Sequence, residues 1–360
     1  MIAAVLEKLD EPVKQNGGVK MLTEKENYLR VVNGEMPEWI PRSSFASPGK
    51  PPATGMAMMS PLMMFGEFKM DDAGNPAGFT DMWGVEYVAS KVTSYASLPV
   101  PDKFILDDIT KWRDVIKAPE IPDVDWVAAA AKDLEMHDRT QTAISGGMGG
   151  YFLPLVNFMG FSEGLAAMIE EPDEVMDLFS YMHDFYTKQN KILLEYYKPD
   201  IFGLGDDIAT ANNLFVSPEV YQKLVKPWAA ADAQLFRDAG IPISMHCCGR
   251  CEDLIEDWIE MGVSIWNPAQ LMNDLAGIKA KYGRSFALEG CFDSSGPANY
   301  PHAPEELVRQ AVRDSIDQFA PDGGYVFWGS TYGDPDDPDT ADKARWITEE
   351  YDSYGRNFYK

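Results

Sequence analysis

The sequence predicts an α/β protein built as a (β/α)8 TIM barrel with a loop-rich N-terminal extension. Six short β-rich segments recur after residue 140, and stretches with helical spacing of apolar residues fill the gaps between them. Strands that alternate with helices form parallel sheets with right-handed crossovers, and six of them in about 200 residues favour a closed barrel over an open sheet. The predicted strands cover residues 142–147, 200–207, 241–248, 264–268, 285–291 and 324–329.

Two helix starts support the alternation of strands and helices. Residues 304–319 place their apolar side chains on one face, and they begin with a proline followed by two acidic residues, as is typical of a helix N-terminus. Ser217 followed by Pro218 predicts a second helix start, because serine is a good N-cap and proline fits the first helical position. In a barrel of this kind the functional residues lie directly after the strands.

Length and charge limit the classes of protein that fit. We expect residues 1–360 to form a single domain, in which the loop-rich residues 1–140 contribute to the pocket. The formal net charge of −26 disfavours binding to nucleic acid or to an anionic membrane surface, because the interaction would be repulsive. Three of the four cysteines lie within residues 247–251, which is a poor disulfide framework and predicts a cytoplasmic protein. The sequence leaves open whether the chain forms a homo-oligomer.

The segment 241–251 carries the strongest chemical signal. It contains His246, Cys247, Cys248 and Cys251 at the end of a predicted strand. Alternate residues of a strand point to the same side, so His246 and Cys248 would converge on one point while Cys247 turns away. Cys291 ends another predicted strand, and the three side chains would give zinc a ligand set with one open position. The alternative is that the cysteines pack in a core as small hydrophobic residues.

Five methionines lie between residues 56 and 65, next to two loops rich in proline and glycine. Thioethers pack well against flat apolar groups, so this segment suits either a hydrophobic pocket or ordinary packing of a loop on the core. We predict that Met63, Phe65, Trp83 and Gln270 contact the substrate.

Several blocks of the sequence resemble the uroporphyrinogen decarboxylase superfamily in order and spacing. The resemblance extends over about residues 20 to 355 and implies a TIM barrel. Its blocks are Gly205-Asp-Asp-Ile-Ala, residues 216–227, His246-Cys-Cys-Gly, residues 260–270, Glu289-Gly-Cys-Phe-Asp and Gly323-Gly-Tyr-Val-Phe.

Within that superfamily the chain is more similar to the corrinoid-dependent methyltransferases than to the decarboxylase. Porphyrinogen decarboxylases carry an arginine-rich N-terminal segment, whereas residues 36–45 contain only Arg42. The His246-x-Cys248 pair resembles the zinc motif of the methyltransferases. Their third ligand, a cysteine after the last strand, is replaced here by residues 329–331, Gly-Ser-Thr. Cys291 is the candidate for its place, and Asp206 or Asp207 is a candidate further ligand.

The resemblance implies transfer of a methyl group between a substrate and a cobalamin cofactor, with Asp206 and Asp207 as catalytic residues. Residues 246–249 satisfy only part of a cobalamin-binding motif, and position 244 is serine rather than aspartate. We therefore expect the cobalamin on a separate corrinoid protein. The aromatic and Met-rich loops favour a methoxylated aromatic compound as the methyl donor, which would make the chain the methyltransferase component of an O-demethylase. The alternatives are a methylcobalamin-dependent methyltransferase that acts on a thiol or another small molecule, a uroporphyrinogen decarboxylase and a non-catalytic ligand-binding barrel.

Overall fold

The computed structural model describes residues 21–43, 52–62, 68–72, 74–91, 95–147, 149–331 and 337–360. Its strands, in chain order, are β1 Thr54–Met56, β2 Lys69–Met70, β3 Pro76–Thr80, β4 Glu86–Val88, β5 Leu98–Pro99, β6 Ala143–Gly147, β7 Ile201–Gly205, β8 Ile243–His246, β9 Val263–Ala269, β10 Ala287–Cys291 and β11 Tyr325–Trp328. A parallel seven-stranded sheet has the order β1-β6-β7-β8-β9-β10-β11. The remaining four strands form a separate antiparallel sheet in the order β2-β3-β4-β5.

Helices fill the connections between the strands of the parallel sheet. They are α1 Glu24–Val32, α2 Trp112–Val115, α3 Trp126–Asp133, α4 Phe152–Met159, α5 Phe161–Glu170, α6 Pro172–Ile192, α7 Pro218–Val220, α8 Lys226–Arg237, α9 Ile255–Glu260, α10 Leu275–Tyr282, α11 Glu305–Phe319 and α12 Thr340–Ser353. Two π-helical turns, Leu193–Tyr197 and Tyr221–Val225, extend α6 and join α7 to α8. Strands and helices therefore alternate through the second half of the chain, as the sequence predicted.

The six strands predicted after residue 140 are all present, with ends that differ by at most two residues. The predicted helix at 304–319 is α11, and its apolar face is buried in the main hydrophobic core. Ser217 caps α7 through its side chain, which accepts a hydrogen bond from the backbone N–H of Val220, and Pro218 is the first helical residue. The antiparallel sheet between residues 69 and 99 was not predicted. Its strands are two to five residues long, too short for a clear alternation of apolar residues.

The prediction of a complete (β/α)8 barrel is confirmed only in part. Small apolar side chains from both ends of the sheet, including Ala143 and Val326, pack in one cluster with Tyr28 and Val31 of α1, so the sheet is curled. Arg42 forms an isolated parallel bridge with Phe327 of β11 and occupies the place of an eighth strand. Among the described residues Arg42 does not pair with β1. The architecture is therefore TIM-barrel-like. In the part of the chain that the structure describes, no pairing closes the barrel between Arg42 and β1.

The described helices include none that by itself is long and apolar enough to cross a membrane. The consecutive helices α4 and α5 pass the test of length and composition as a pair, but they are bent by 116° at their junction. Their apolar side chains, among them Phe152, Leu155 and Met168, lie in the main hydrophobic core, which accounts for the composition of both helices.

Candidate functional site

Three side chains converge where β7 and β8 end. Asp207, His246 and Cys248 each offer one ligand atom, and these atoms all lie within 4.8 Å of one another. Gly205 and His246 are opposite each other in the parallel pairing of β7 with β8, so the residues that follow Gly205 come next to His246. His246 and Cys248 share one side, as the alternation of the strand predicted. We call Asp207, His246 and Cys248 the ligand cluster.

The His246 ring is held by a chain of polar contacts from neighbouring strands. Its Nδ1 lies 2.8 Å from Oδ1 of Asn267 in β9, and Nδ2 of Asn267 donates to Glu289 of β10 at 3.5 Å. The Tyr28 hydroxyl donates to the same Glu289 oxygen at 3.2 Å. An amide oxygen only accepts hydrogen bonds, so the proton of a neutral imidazole sits on Nδ1, and the Nε2 lone pair is left to accept, with the Cys248 Sγ 4.0 Å away. A hydrogen-bonding partner of this kind commonly orients a metal-binding histidine.

Asp207 holds the loop that carries Cys248. Its Oδ1 accepts a hydrogen bond from the backbone N–H of Cys248 at 2.7 Å. Burial, together with the neighbouring Asp207 carboxylate, raises the pKa of the Cys248 thiol to about 12. A divalent cation reverses that effect, because it stabilises the thiolate it binds.

The ligand cluster fits a zinc ion by its donor chemistry. Imidazole nitrogen, thiolate sulfur and carboxylate oxygen are the three donor types that zinc uses in proteins, and three protein ligands leave the fourth position open, as in catalytic sites. The Cys248 Sγ lies 4.0 Å from the His246 Nε2. Tetrahedral zinc with ordinary bond lengths places sulfur and nitrogen about 3.6 Å apart, so the pair needs to close by only a few tenths of an ångström.

Cys291 ends β10 as predicted but is not a member of the ligand cluster. Gly290 and Cys291 have positive φ angles of 134° and 60°, so the regular alternation of side chains is lost at this strand end. Cys291 is buried in the main hydrophobic core and lines a cavity together with Leu307 and Ser315 of α11. The structure thus brings Asp207 to His246 and Cys248, while a ligand role for Cys291 stays a prediction.

Asp206 precedes Asp207 of the cluster, and its side chain binds the first backbone N–H groups of helix α4. Its carboxylate accepts hydrogen bonds from the backbone N–H groups of Tyr151, Phe152 and Leu153, each at 2.8 Å. Burial raises the pKa of Asp206 to about 6 in spite of these three donors. Gly150 permits the approach, because a Cβ there would lie 2.5 Å from the carbonyl oxygen of Gly205. The catalytic role predicted for Asp206 stays a prediction.

Of the four residues predicted to contact the substrate, the structure describes Gln270 and Trp83. The Gln270 Oε1 accepts a hydrogen bond from the backbone N–H of Gly249 at 2.6 Å, so Gln270 fixes the loop after Cys248. Trp83 is buried and packs edge-on against Phe158, Phe185 and Tyr186. Met63 and Phe65 lie outside the described residues.

A cavity of about 480 Å³ lies next to the cluster at the ends of β1, β6 and β7. Gly205, the register partner of His246, forms part of its wall, whereas Asp207, His246 and Cys248 themselves do not line the cavity. Its apolar wall includes Met56, Met58, Met59 and Met82, as expected if the Met-rich segment forms a pocket. Its polar side chains are Tyr87, Asn157, Tyr186, Gln189, Asn190 and Asp232. No motif distinguishes these six residues, because single polar residues on a short strand or on a helix look like part of an ordinary solvated surface.

Comparison with known proteins identifies the fold of this site. A family model described as Uroporphyrinogen decarboxylase (URO-D) matches residues 83–329, which include the whole ligand cluster. No curated protein matches the chain. Among solved structures, the chain is similar to a methyltransferase from Methanosarcina mazei, with a TM-score of 0.60 and 12% sequence identity over 92% of this chain and 99% of that chain. At that identity the similarity shows a shared fold.

Proposed function

Because the chain belongs to the uroporphyrinogen decarboxylase (URO-D) family, we propose that it is a zinc-dependent methyltransferase of this superfamily. Its methyl donor is a methoxylated aromatic compound, and its acceptor is the Co(I) corrinoid of a separate protein. One observation carries the proposal. Nitrogen, oxygen and sulfur ligands converge at the strand ends beside a cavity walled by methionines. The similarity to a methyltransferase of the same fold supports this choice within the family.

The ligand cluster suits the difficult part of ether cleavage, which is the departure of the oxygen. Zinc held by Asp207, His246 and Cys248 would supply a Lewis acid that stabilises negative charge on that oxygen. Asn267 keeps the His246 Nε2 directed to the cluster, and Asp207 keeps the Cys248 loop in place through its backbone hydrogen bond. The cluster is therefore arranged before substrate arrives, which avoids the cost of reorganising it during the reaction.

The cavity residues would hold the aromatic ring of the donor. Met56, Met58, Met59 and Met82 offer polarisable, adaptable surfaces that pack against a flat ring. Binding the ring in this cavity would place its methoxy group near the strand ends, because Gly205 is shared by the cavity wall and the β7–β8 pair that carries His246. Positioning of the reacting group in this way is a large part of catalysis by proximity.

The proposal is tested by mixing the zinc-loaded protein with a methoxyphenol and a corrinoid protein reduced to Co(I). We expect the Co(I) absorption spectrum to change to that of the methylated corrinoid while a demethylated phenol appears in equal amount. The variant His246→Gln should abolish both changes, whereas Cys251→Ser, which alters a buried thiol outside the cluster, should retain them. Demethylation without a corrinoid would contradict the mechanism, and methyl transfer to a thiol with no turnover of ethers would favour a thiol methyltransferase.

A further inference from the structure

We propose that the cavity beside the ligand cluster selects an uncharged aromatic ligand with hydrogen-bonding substituents, such as a methoxyphenol, and rejects ligands that carry a carboxylate. The inference deepens the proposed function and rests on it for the identity of the reaction. The preference for an uncharged ligand can be measured by binding alone, so it can fail or succeed independently of turnover.

The charges around the cavity oppose an anionic ligand. No lysine, arginine or histidine is among its described lining residues, and the charged side chain among them is Asp232. A carboxylate that enters such a cavity gives up its hydration and finds no cation to replace it. That loss is costly wherever a charge is buried without a partner.

Asp232 does not attract a cationic ligand either, because the protein already uses both of its oxygens. Oδ2 accepts a hydrogen bond from the Tyr151 hydroxyl at 2.6 Å. Oδ1 accepts one from Nδ2 of Asn190 at 3.2 Å and lies 3.2 Å from Nδ1 of His183. Asp232 is only 4% exposed, so a ligand ammonium group would have to displace these buried partners. The cavity is therefore matched to neither sign of charge.

Polar groups at the cavity wall remain available to an uncharged ligand. The side-chain amide of Gln189 lines the cavity, and none of the described residues hydrogen-bonds to it. Asn157 donates its Nδ2 to the Tyr87 hydroxyl at 2.8 Å, and its Oδ1 accepts no hydrogen bond from the described part of the chain. A phenol hydroxyl both donates and accepts, so it can pair with Asn157 and Gln189 without any change of charge. Such pairing provides the selectivity that an apolar wall lacks.

The test uses isothermal titration calorimetry to compare the affinities of the protein for three methoxyphenols of similar shape. They are 2-methoxyphenol, 4-hydroxy-3-methoxybenzyl alcohol and 4-hydroxy-3-methoxybenzoate. The benzyl alcohol has nearly the size of the benzoate but no charge, so it separates charge from steric fit. At pH 7 we expect both uncharged ligands to bind, and the benzoate to bind about ten- to hundredfold more weakly than the benzyl alcohol.

A variant that introduces a positive charge makes the test specific to the cavity. Gln189→Arg places a cation at the cavity wall and should strengthen binding of the benzoate relative to the benzyl alcohol by about tenfold or more. Gln234→Arg adds the same charge on an exposed position of α8 and should leave the ratio unchanged. Equal or tighter binding of the benzoate by the unmodified protein would overturn the inference, as would an unchanged ratio in Gln189→Arg or failure of all three ligands to bind.

The two proposals fail in distinguishable ways. If the uncharged ligands bind tightly but no methyl group reaches the corrinoid, the selectivity stands and the proposed reaction is wrong. If the benzoate is demethylated faster than the benzyl alcohol at equal low concentrations, the reaction stands and the selectivity is wrong.

Discussion

Asn267 and His246 are joined by a 2.8 Å contact between the Asn267 Oδ1 and the His246 Nδ1. Asn267 lies in β9 and His246 in β8, and the two residues are partners in the parallel register. The strand pairing itself therefore orients the imidazole, and Glu289 in β10 supports the asparagine from the next strand. This contact decides which ring nitrogen is free to bind a metal.

The first prediction concerns that contact. Asn267→Ala should lower the affinity of the protein for zinc by about ten- to hundredfold. The His246 ring loses its hydrogen bond to Asn267, and with it its orientation and part of its basicity. Competition with a chromophoric chelator measures the affinity. Asn357→Ala, an exposed change at the end of the chain, is the matched control. An unchanged zinc affinity in Asn267→Ala would show that His246 does not bind the metal through Nε2.

The second prediction concerns the ligands. Protein purified without chelator should contain about one zinc per chain, and Asp207→Ala, His246→Ala and Cys248→Ala should each lose most of it. Cys247→Ala should retain the metal, because its buried side chain lies outside the ligand cluster. Cys291→Ala decides the remaining question. Retention of zinc is expected from its place outside the cluster, and loss would establish Cys291 as a ligand.

The third prediction separates two roles for Asp206. Asp206→Ala removes the acceptor of three backbone N–H groups at the start of α4 and should lower the free energy of unfolding by about 2–4 kcal/mol. Asp206→Asn keeps one acceptor oxygen and should cost less. Chemical denaturation followed by circular dichroism gives both values. An unchanged free energy of unfolding in Asp206→Ala, combined with lost turnover, would instead assign Asp206 to the chemistry.

The fourth prediction is that the protein does not decarboxylate uroporphyrinogen. Arg42 is the one arginine between residues 36 and 45, and it is held against α12. Its Nη2 donates to Thr348 at 2.9 Å, and its guanidinium group lies 5.1 Å from the ring centre of Tyr351. Incubation with uroporphyrinogen should yield no coproporphyrinogen, with a known decarboxylase assayed in parallel. Product formation at a comparable rate would return the chain to the decarboxylases of its family.

The fifth prediction concerns pH and His183. Its contact with Asp232 raises the pKa of His183 above the ordinary value of 6.5, and the charge of nearby Asp184 acts in the same direction. A raised pKa means that protonated His183 stabilises the fold below about pH 6.5, and that this contribution is lost as the pH rises through the pKa of the folded state. The destabilisation caused by His183→Gln should therefore be larger at pH 5.5 than at pH 9.

The control for this prediction is His302→Gln. His302 also faces a carboxylate, with its Nδ1 3.0 Å from Asp339, but its side chain is 77% exposed. Exposed pairs of this kind contribute little to stability, so the free energy of unfolding should change little at either pH. A destabilisation by His183→Gln that is independent of pH would contradict the argument.

Local signals in the sequence determined the six strands after residue 140, the starts of two helices and two of the three residues of the ligand cluster. The alternation of side chains along β8 is a property of neighbouring residues, which is why the shared side of His246 and Cys248 was predictable. The N-cap at Ser217 and the apolar face of α11 are local in the same sense. These features require no knowledge of what packs against them.

The tertiary structure decided which distant residues meet. Asp207 reaches the cluster because β7 and β8 pair in a register that sets Gly205 opposite His246, and Cys291 lies apart because the backbone turns at Gly290. The cavity combines Tyr87 of β4 in the unpredicted sheet, Asn157 of α4, Gln189 of α6 and Asp232 of α8. Register and packing depend on many long-range contacts at once, so no local pattern marks these residues, although their chemistry sets what the cavity can bind.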